Sequence, residues 1–229
     1  MYQRTSFLAA IPLVLAAVAM STPAAYADVY RDAQDRVNDS AHLIHHLKQN
    51  PDLAQLLSEA RGVFIVPHYG KAGFIFGAQG GDGVVLAKRD GRWTDPAFFN
   101  LGGGSVGFQA GATGGSIVML LMTRRAMDQF EHSSGRWSLN AGGGLTVVRY
   151  SGGAEASTRG NHDIIVWTDT GGLYGGLTAG VTDITPDNHL DHQYYHADVT
   201  PHTILTGMVY NHQANDLREA LATRVAAAY

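Results

Sequence analysis

The stretch ARGVFIVPHYGKAGFIFGAQGGDGVVLAKRDGRW, residues 60–93, holds the change of period on which the fold turns. Before it, apolar residues recur at three- and four-residue steps. After Arg61-Gly62 they form a short continuous run, Val63-Phe64-Ile65-Val66, closed by Pro67. A run of that length bounded by Gly and Pro predicts a strand. Two more strands are expected over 73–78 and 83–88, joined by a turn at Gly80-Gly81-Asp82-Gly83. Asp90-Gly91 then supplies the positive φ angles of a tight return.

Working outward, Val29, Ala33, Val37, Ala41, Ile44 and Leu47 lie on one face of a helix spanning Asp28 to Gln49. Its charges are mixed, with Asp32, Asp35 and Asp39 against Arg31, Arg36 and Lys48. Asn50-Pro51-Asp52 ends that helix and opens a second, whose stripe is Leu53, Leu56, Leu57 and Ala60. Downstream, strands are expected around Ser105 to Ala112, Ile117 to Met122, Trp137 to Ala141, Leu145 to Tyr150, Asp163 to Thr168 and Leu173 to Val181. A short helix is expected from Thr123 to Phe130, and a closing helix from Asn215 to Ala228. The density of glycine inside these strands predicts bends and bulges. The fold class expected is α+β: a strongly curved glycine-rich antiparallel sheet or half-barrel, with N-terminal and C-terminal helices packed on it.

Composition narrows the chemistry. The 229 residues contain no Cys, so disulfides, thiol nucleophiles and Cys-held metal clusters are excluded. There are 28 glycines, and charged residues make up only 16%, against roughly 25% in an ordinary domain. A net charge of −4 excludes a globally basic nucleic-acid binder. At the N-terminus Arg4, the apolar run from Phe7 to Met20 and Ala25-Tyr26-Ala27 read as a secretory signal peptide over residues 1–27. That leaves residues 28–229 as one exported domain, periplasmic or outer-membrane-associated. Of the 16 basic residues, losing Arg4 leaves 15 against 20 acidic ones, a net of −5.

Gly103-Gly104-Ser105-Val106-Gly107 fits the nucleophile pattern G-x-S-x-G, but strand-like residues follow where a helix should. A serine hydrolase acting through Ser105 is therefore the weakest reading, and no catalytic residue is assigned. Gly102, Gly104 and Gly107 also fit G-x-G-x-x-G without the βαβ unit that a dinucleotide site needs. His42, His45 and His46 share a helical face, and His189, His192 and His196 form a second group. Neither carries the paired carboxylate of a reactive metal site, so no metal and no cofactor are assigned. Positive charge is sparse but clustered: Lys88, Arg89 and Arg92 at a hairpin turn, Arg124 and Arg125 at a helix start, and Lys71 beside a glycine strand. These six can hold a phosphate by charge-assisted hydrogen bonds, while acyl chains contact Trp93, Phe98 or Phe99.

Ala60 to Pro67, Lys71-Ala72-Gly73-Phe74, Gly81-Asp82-Gly83-Val84, Trp93-Thr94-Asp95-Pro96, the Gly103 to Gly111 run, Gly172-Leu173-Tyr174-Gly175-Gly176 and Tyr194-Tyr195 follow one another in an order that resembles the SYLF-domain family, in its bacterial exported branch. The resemblance covers roughly Asp28 to Val225, with Thr94 where the family more often has Ser. It implies a phospholipid-binding module without an enzymatic reaction. It also implies that the phosphoinositide and actin binding of eukaryotic and fungal members does not transfer to an exported protein. The partner expected is an anionic phospholipid or membrane surface, not nucleic acid. The alternative is an envelope structural module that self-associates or binds a protein.

Overall fold

The computed structural model describes residues 23–73, 76–106, 111–139, 144–153, 161–170, 173–174 and 181–222. Helix α1, Pro23–Leu47, buries Ala33, Val37, Ala41, Ile44 and Leu47 of the stripe its periodicity predicts; the side chain of Val29 lies outside the described residues. The helix starts before the expected cleavage point, since its first five residues precede Asp28. Helix α2, Pro51–Glu59, is capped by Asn50, whose side-chain oxygen accepts from the N–H groups of Asp52 and Leu53 at 3.0 and 3.3 Å.

The sheet follows: β1 (Gly62–Gly73), β2 (Phe76–Arg89), β3 (Arg92–Trp93), β4 (Ala97–Val106), β5 (Gly111–Leu121), β6 (Trp137–Ser138), β7 (Val147–Arg149), β8 (Ile164–Thr168) and β9 (Val181–Pro186). Its order is β6-β9-β4-β2-β1-β5-β8-β7, with β3 paired to β2. All pairs are antiparallel except β7 with β8, so the sheet is mixed by one parallel pair. Helix α3, Arg124–Glu131, follows β5, capped by Thr123. Helices α4 (Asn188–Tyr195), α5 (Pro201–Leu205) and α6 (Asn215–Leu221) close the described chain.

Side-chain alternation sorts the core into two layers. On one face Val63, Ile65, Val84, Leu86, Phe98, Val118 and Leu120 pack with α1, α2, α4 and α6. On the other, Phe64, Val66, Val85, Phe99, Ile117 and Met119 pack with residues of α3 and α5, among them Phe130, Ile204 and Leu205. Both faces of β1 are therefore covered, which is why its apolar run is continuous. Asp191 of α4 fastens helix to sheet by accepting from the Phe98 N–H at 2.9 Å. Burial holds its carboxyl well above the usual range.

The expected turn at Gly80-Gly81-Asp82-Gly83 does not form; β2 runs straight through it. These residues pair with β1 on one side and β4 on the other, Asp82 opposite both His68 and Asn100. Glycine is needed there for close approach: a Cβ on Gly83 would lie 2.2 Å from the Ile65 carbonyl oxygen, and one on Gly81 2.4 Å from that of His68. Both positions flank the β1 bulge between Ile65 and His68, where Pro67 sits. Gly83→Ala is expected to cost about 2–3 kcal/mol by overpacking, read as a lower urea midpoint at unchanged slope. The return at Asp90 (φ 50°) and Gly91 (φ 78°) forms as expected.

Other boundaries shift. Of the strand expected from Leu173 to Val181, Leu173 and Tyr174 are helical and residues 175–180 lie outside the described residues; Val181 opens β9, in which buried Thr182 and Ile184 alternate with half-exposed Asp183 and Thr185. Of the strand expected from Ser105 to Ala112, Ser105 and Val106 end β4, Gly111 and Ala112 begin β5, which is not its sheet neighbour, and residues 107–110 lie outside the described residues. Helices α4 and α5 have no counterpart in the periodicity, although capping marks both. The Asp187 carboxylate accepts from the Leu190 N–H, and Thr200 forms a capping box with Thr203 ahead of Pro201. Within the closing helix, residues 223–228 lie outside the described residues, as do residues 1–22.

Candidate functional site

The two basic clusters, separate in sequence, occupy one end of the sheet. Gly62 pairs with Ala87 and Leu121. Arg61 therefore lies between the end of β2 and the end of β5, its N–H donating to the Leu121 carbonyl at 2.8 Å and its own carbonyl accepting from the Lys88 N–H at 2.7 Å. Lys88 and Arg89 end β2 and Arg92 opens β3 on one side of it, and Arg124 and Arg125 follow the end of β5 on the other. Lys71 is at the other end, paired through its backbone with Gln79 and Thr113; its side chain lies outside the described residues.

Internal partners separate these cations. Lys88 donates to the Ser58 carbonyl at 2.7 Å and stands 5.7 Å from the centre of the Trp93 ring. Arg89 pairs with the buried Glu131 and donates to the Leu205 carbonyl. Arg125 pairs with Asp163 at 2.5 Å. Arg61, Arg92 and Arg124 are exposed and have no side-chain partner among the described residues.

The expected meeting of aromatic rings with acyl chains needs correcting. Trp93 is only 7% exposed, and its indole N–H donates to the Leu221 carbonyl at 3.0 Å. Phe98 is fully buried against Tyr194, with ring centres 5.2 Å apart, and Phe99 is fully buried against Phe64 and Phe130. Strand alternation puts these rings into the two core layers, so none of the three reaches the surface to meet a bilayer.

Other side chains stand there instead. A cleft of about 670 Å³ opens between the Arg89–Asp95 segment, the 206–210 loop and α6, lined by Arg89, Arg92, Asp95, Tyr210, Arg218 and Glu219 among others. The loop after α5 reverses through a Schellman turn: Gly207 (φ 81°) donates to the Ile204 carbonyl and Met208 to that of Thr203. The residue in Met208's place usually packs back on the last helical turn. Here Met208 is 69% and Tyr210 70% exposed, the two large apolar side chains so exposed among the described residues. Tyr210 is held upright, 4.6 Å from the Arg218 guanidinium and bonded through its hydroxyl to Asn215 at 3.0 Å. Sequence reasoning missed this loop because its apolar residues have no period; the Thr-Gly after a capped helix was the available signal.

Two carboxylates at this end titrate in opposite directions. Burial pushes Asp95 up to about 6 despite its pairing with Arg218. Burial also acts on Asp163, but Arg125, the Thr123 hydroxyl and the Thr146 N–H outweigh it and bring the carboxyl down to about 2. A raised carboxylate contributes stability that is present below its unfolded pKa and lost as pH rises through 6. A depressed one contributes stability that is lost as pH falls through 4 toward 2. Asp163→Asn is thus expected to remove about 2 kcal/mol at neutral pH and flatten the acid limb of a stability profile. Asp95→Asn should flatten the slope between pH 4 and 6, with chemical denaturation across pH as the measurement.

Catalytic features are weak. Ser105 lies within β4, its backbone paired with Gly77, while its side chain and residues 107–110 lie outside the described residues. His42, His45 and His46 are exposed along α1, while His189 bonds Gln193 and His192 approaches the Val199 carbonyl. Neither histidine trio brings three donors together among the described residues. No helix in the described residues is long and apolar enough to cross a membrane.

A family model described as Ysc84, Las17-binding protein actin regulator, matches residues 102–224. The SH3 domain-containing YSC84-like protein 1 of Bos taurus is 29% identical over 174 residues, 73% of this chain and 50% of that protein. Its Homo sapiens namesake is 28% identical over the same length, and Protein YSC84 of Saccharomyces cerevisiae is 27% identical over 161 residues, 34% of its own length. The chain spans about half the length, or less, of these curated relatives. With a match that takes in more than half of the sequence, from β4 through the cleft's second wall, this chain belongs to the Ysc84 family, the SYLF-domain proteins that its motifs resemble.

Proposed function

We propose that this protein is a non-enzymatic binding module for anionic phospholipid head groups. On this reading it is exported, with residues 1–27 removed and residues 28–229 acting as one domain at the bacterial envelope. The observation that carries the reading is one cleft lined by both Arg92, which has no side-chain partner among the described residues, and Tyr210, whose loop also exposes Met208. A guanidinium can hold a phosphate through paired hydrogen bonds, and an exposed methionine and tyrosine can enter the interfacial region of a bilayer.

Charge sets the range of the attraction. An acidic chain is repelled by an anionic surface at distances beyond a Debye length of roughly 8–10 Å, so capture relies on short-range interactions. Helix α1 is the weaker candidate. Its Arg36 is held by Asp32 at 2.8 Å and approaches Asp82 at 3.6 Å, its Lys48 donates to the carbonyls of Ala220 and Ala222, and its apolar stripe is core.

The test is flotation of the protein with phosphatidylcholine vesicles, with and without phosphatidic acid or cardiolipin, at low and high salt. Binding only to the anionic vesicles, weakened by salt, is the expected result. The family description names a protein partner, and exposed apolar residues also suit a protein surface. Flotation with neither vesicle at either salt would overturn the lipid reading in favour of that one.

A further inference from the structure

We infer that Glu131, His132 and His202 form a binding site for a divalent transition metal ion, with zinc the best match. One donor atom from each lies within 4.8 Å of the other two. None of the three belongs to the histidine groups visible in the sequence, because the site joins the end of α3 to α5.

Each donor is held in place by the fold. Glu131, in the last turn of α3, is buried, and Arg89 pairs with its Oε2. That leaves Oε1, which lies 3.5 Å from Nδ1 of His202. His132 caps the same helix, with Nδ1 3.3 Å from the Asp128 carbonyl oxygen. Donation there places the proton on Nδ1 and leaves Nε2 with the lone pair that a metal requires, the arrangement by which a backbone carbonyl orients a ligating imidazole. His202 rides on the capped helix α5, its ring centre 5.4 Å from that of His132.

The dimensions fit zinc. Donors about 2.0–2.1 Å from a tetrahedral zinc ion are roughly 3.3 Å apart. The Glu131–His202 edge is already near that length, and the remaining closure falls to two exposed imidazoles that can rotate. Two imidazoles and one carboxylate suit zinc, nickel and copper better than magnesium or calcium, which take oxygen donors. Three protein donors leave a fourth position for water. The Arg89 charge beside Glu131 opposes the ion, so micromolar affinity is expected, not the tighter binding of a buried structural site.

The test is calorimetric titration of the full chain with zinc chloride. One ion per chain is expected, with affinity falling at least tenfold in His132→Ala and in His202→Ala. Both imidazoles are exposed, so these variants should melt with the parent when metal is absent. A variant lacking His42, His45 and His46 should keep the site. Three results would overturn the assignment: no zinc uptake by the parent, unchanged uptake in the His132→Ala/His202→Ala double variant, or loss of uptake in the α1 variant alone.

Discussion

Arg92→Ala combined with Met208→Ser and Tyr210→Ser is expected to abolish flotation with anionic vesicles while leaving the fold intact. A charge-assisted hydrogen bond from Arg92 to a phosphate is worth about 1.5 kcal/mol or more. Withdrawing Met208 from an apolar environment removes about another 1.5 kcal/mol. Together they correspond to at least a hundredfold weaker binding. All three side chains are exposed, so the melting temperature should hold. Arg92→Ala alone should remove most of the preference for anionic vesicles. The serine pair alone should weaken binding to them at high salt, where the apolar contribution persists. Lys88, Arg89 and Arg125 are poorer targets, because Ser58, Glu131 and Asp163 occupy them and their replacement would first register as instability. Parent-like flotation by the triple variant would move the site away from this cleft.

Phe99→Ala is expected to do the reverse, destabilising the protein by about 3–5 kcal/mol without altering lipid binding by the molecules that remain folded. Its ring is fully buried, 5.4 Å from that of Phe130 and 6.3 Å from that of Phe64, and Phe130 in turn abuts Trp137 at 5.1 Å. Truncation leaves a cavity within an interlocked aromatic group that cannot collapse, because a sheet forms one wall. For a domain of this size the melting temperature should drop roughly 10 °C or more. An unchanged melting temperature with abolished flotation would return Phe99 to the membrane surface and contradict its burial.

The contrast between Phe99 and Met208 marks the boundary between local and tertiary information. The helices of residues 28–60, the apolar run of β1, the Asp90-Gly91 return and the glycine-bent strands were legible because each rests on spacing or on a backbone angle few residues adopt. The family was legible for a related reason: its short motifs follow one another in order along the chain. Other features depended on what lies alongside. Gly80 to Gly83 reads as a turn in isolation, yet β1 and β4 flank it and use its missing side chains for close approach. Trp93 and Phe98 look like membrane aromatics beside a basic turn, until α4 and α6 cover them.

Sequence by itself determined the helix–sheet–helix order, the curvature expected of so much glycine and the scarcity of charge, since all of these follow from local preference and composition. Tertiary structure alone decided which cations are free. An arginine's availability depends on whether a carboxylate or carbonyl distant in the chain reaches it, as Glu131 reaches Arg89 across 42 residues and nothing among the described residues reaches Arg92. It also decided that two basic clusters share one sheet end and that Met208, not Phe99, faces water, because exposure is fixed by the elements packed around a residue.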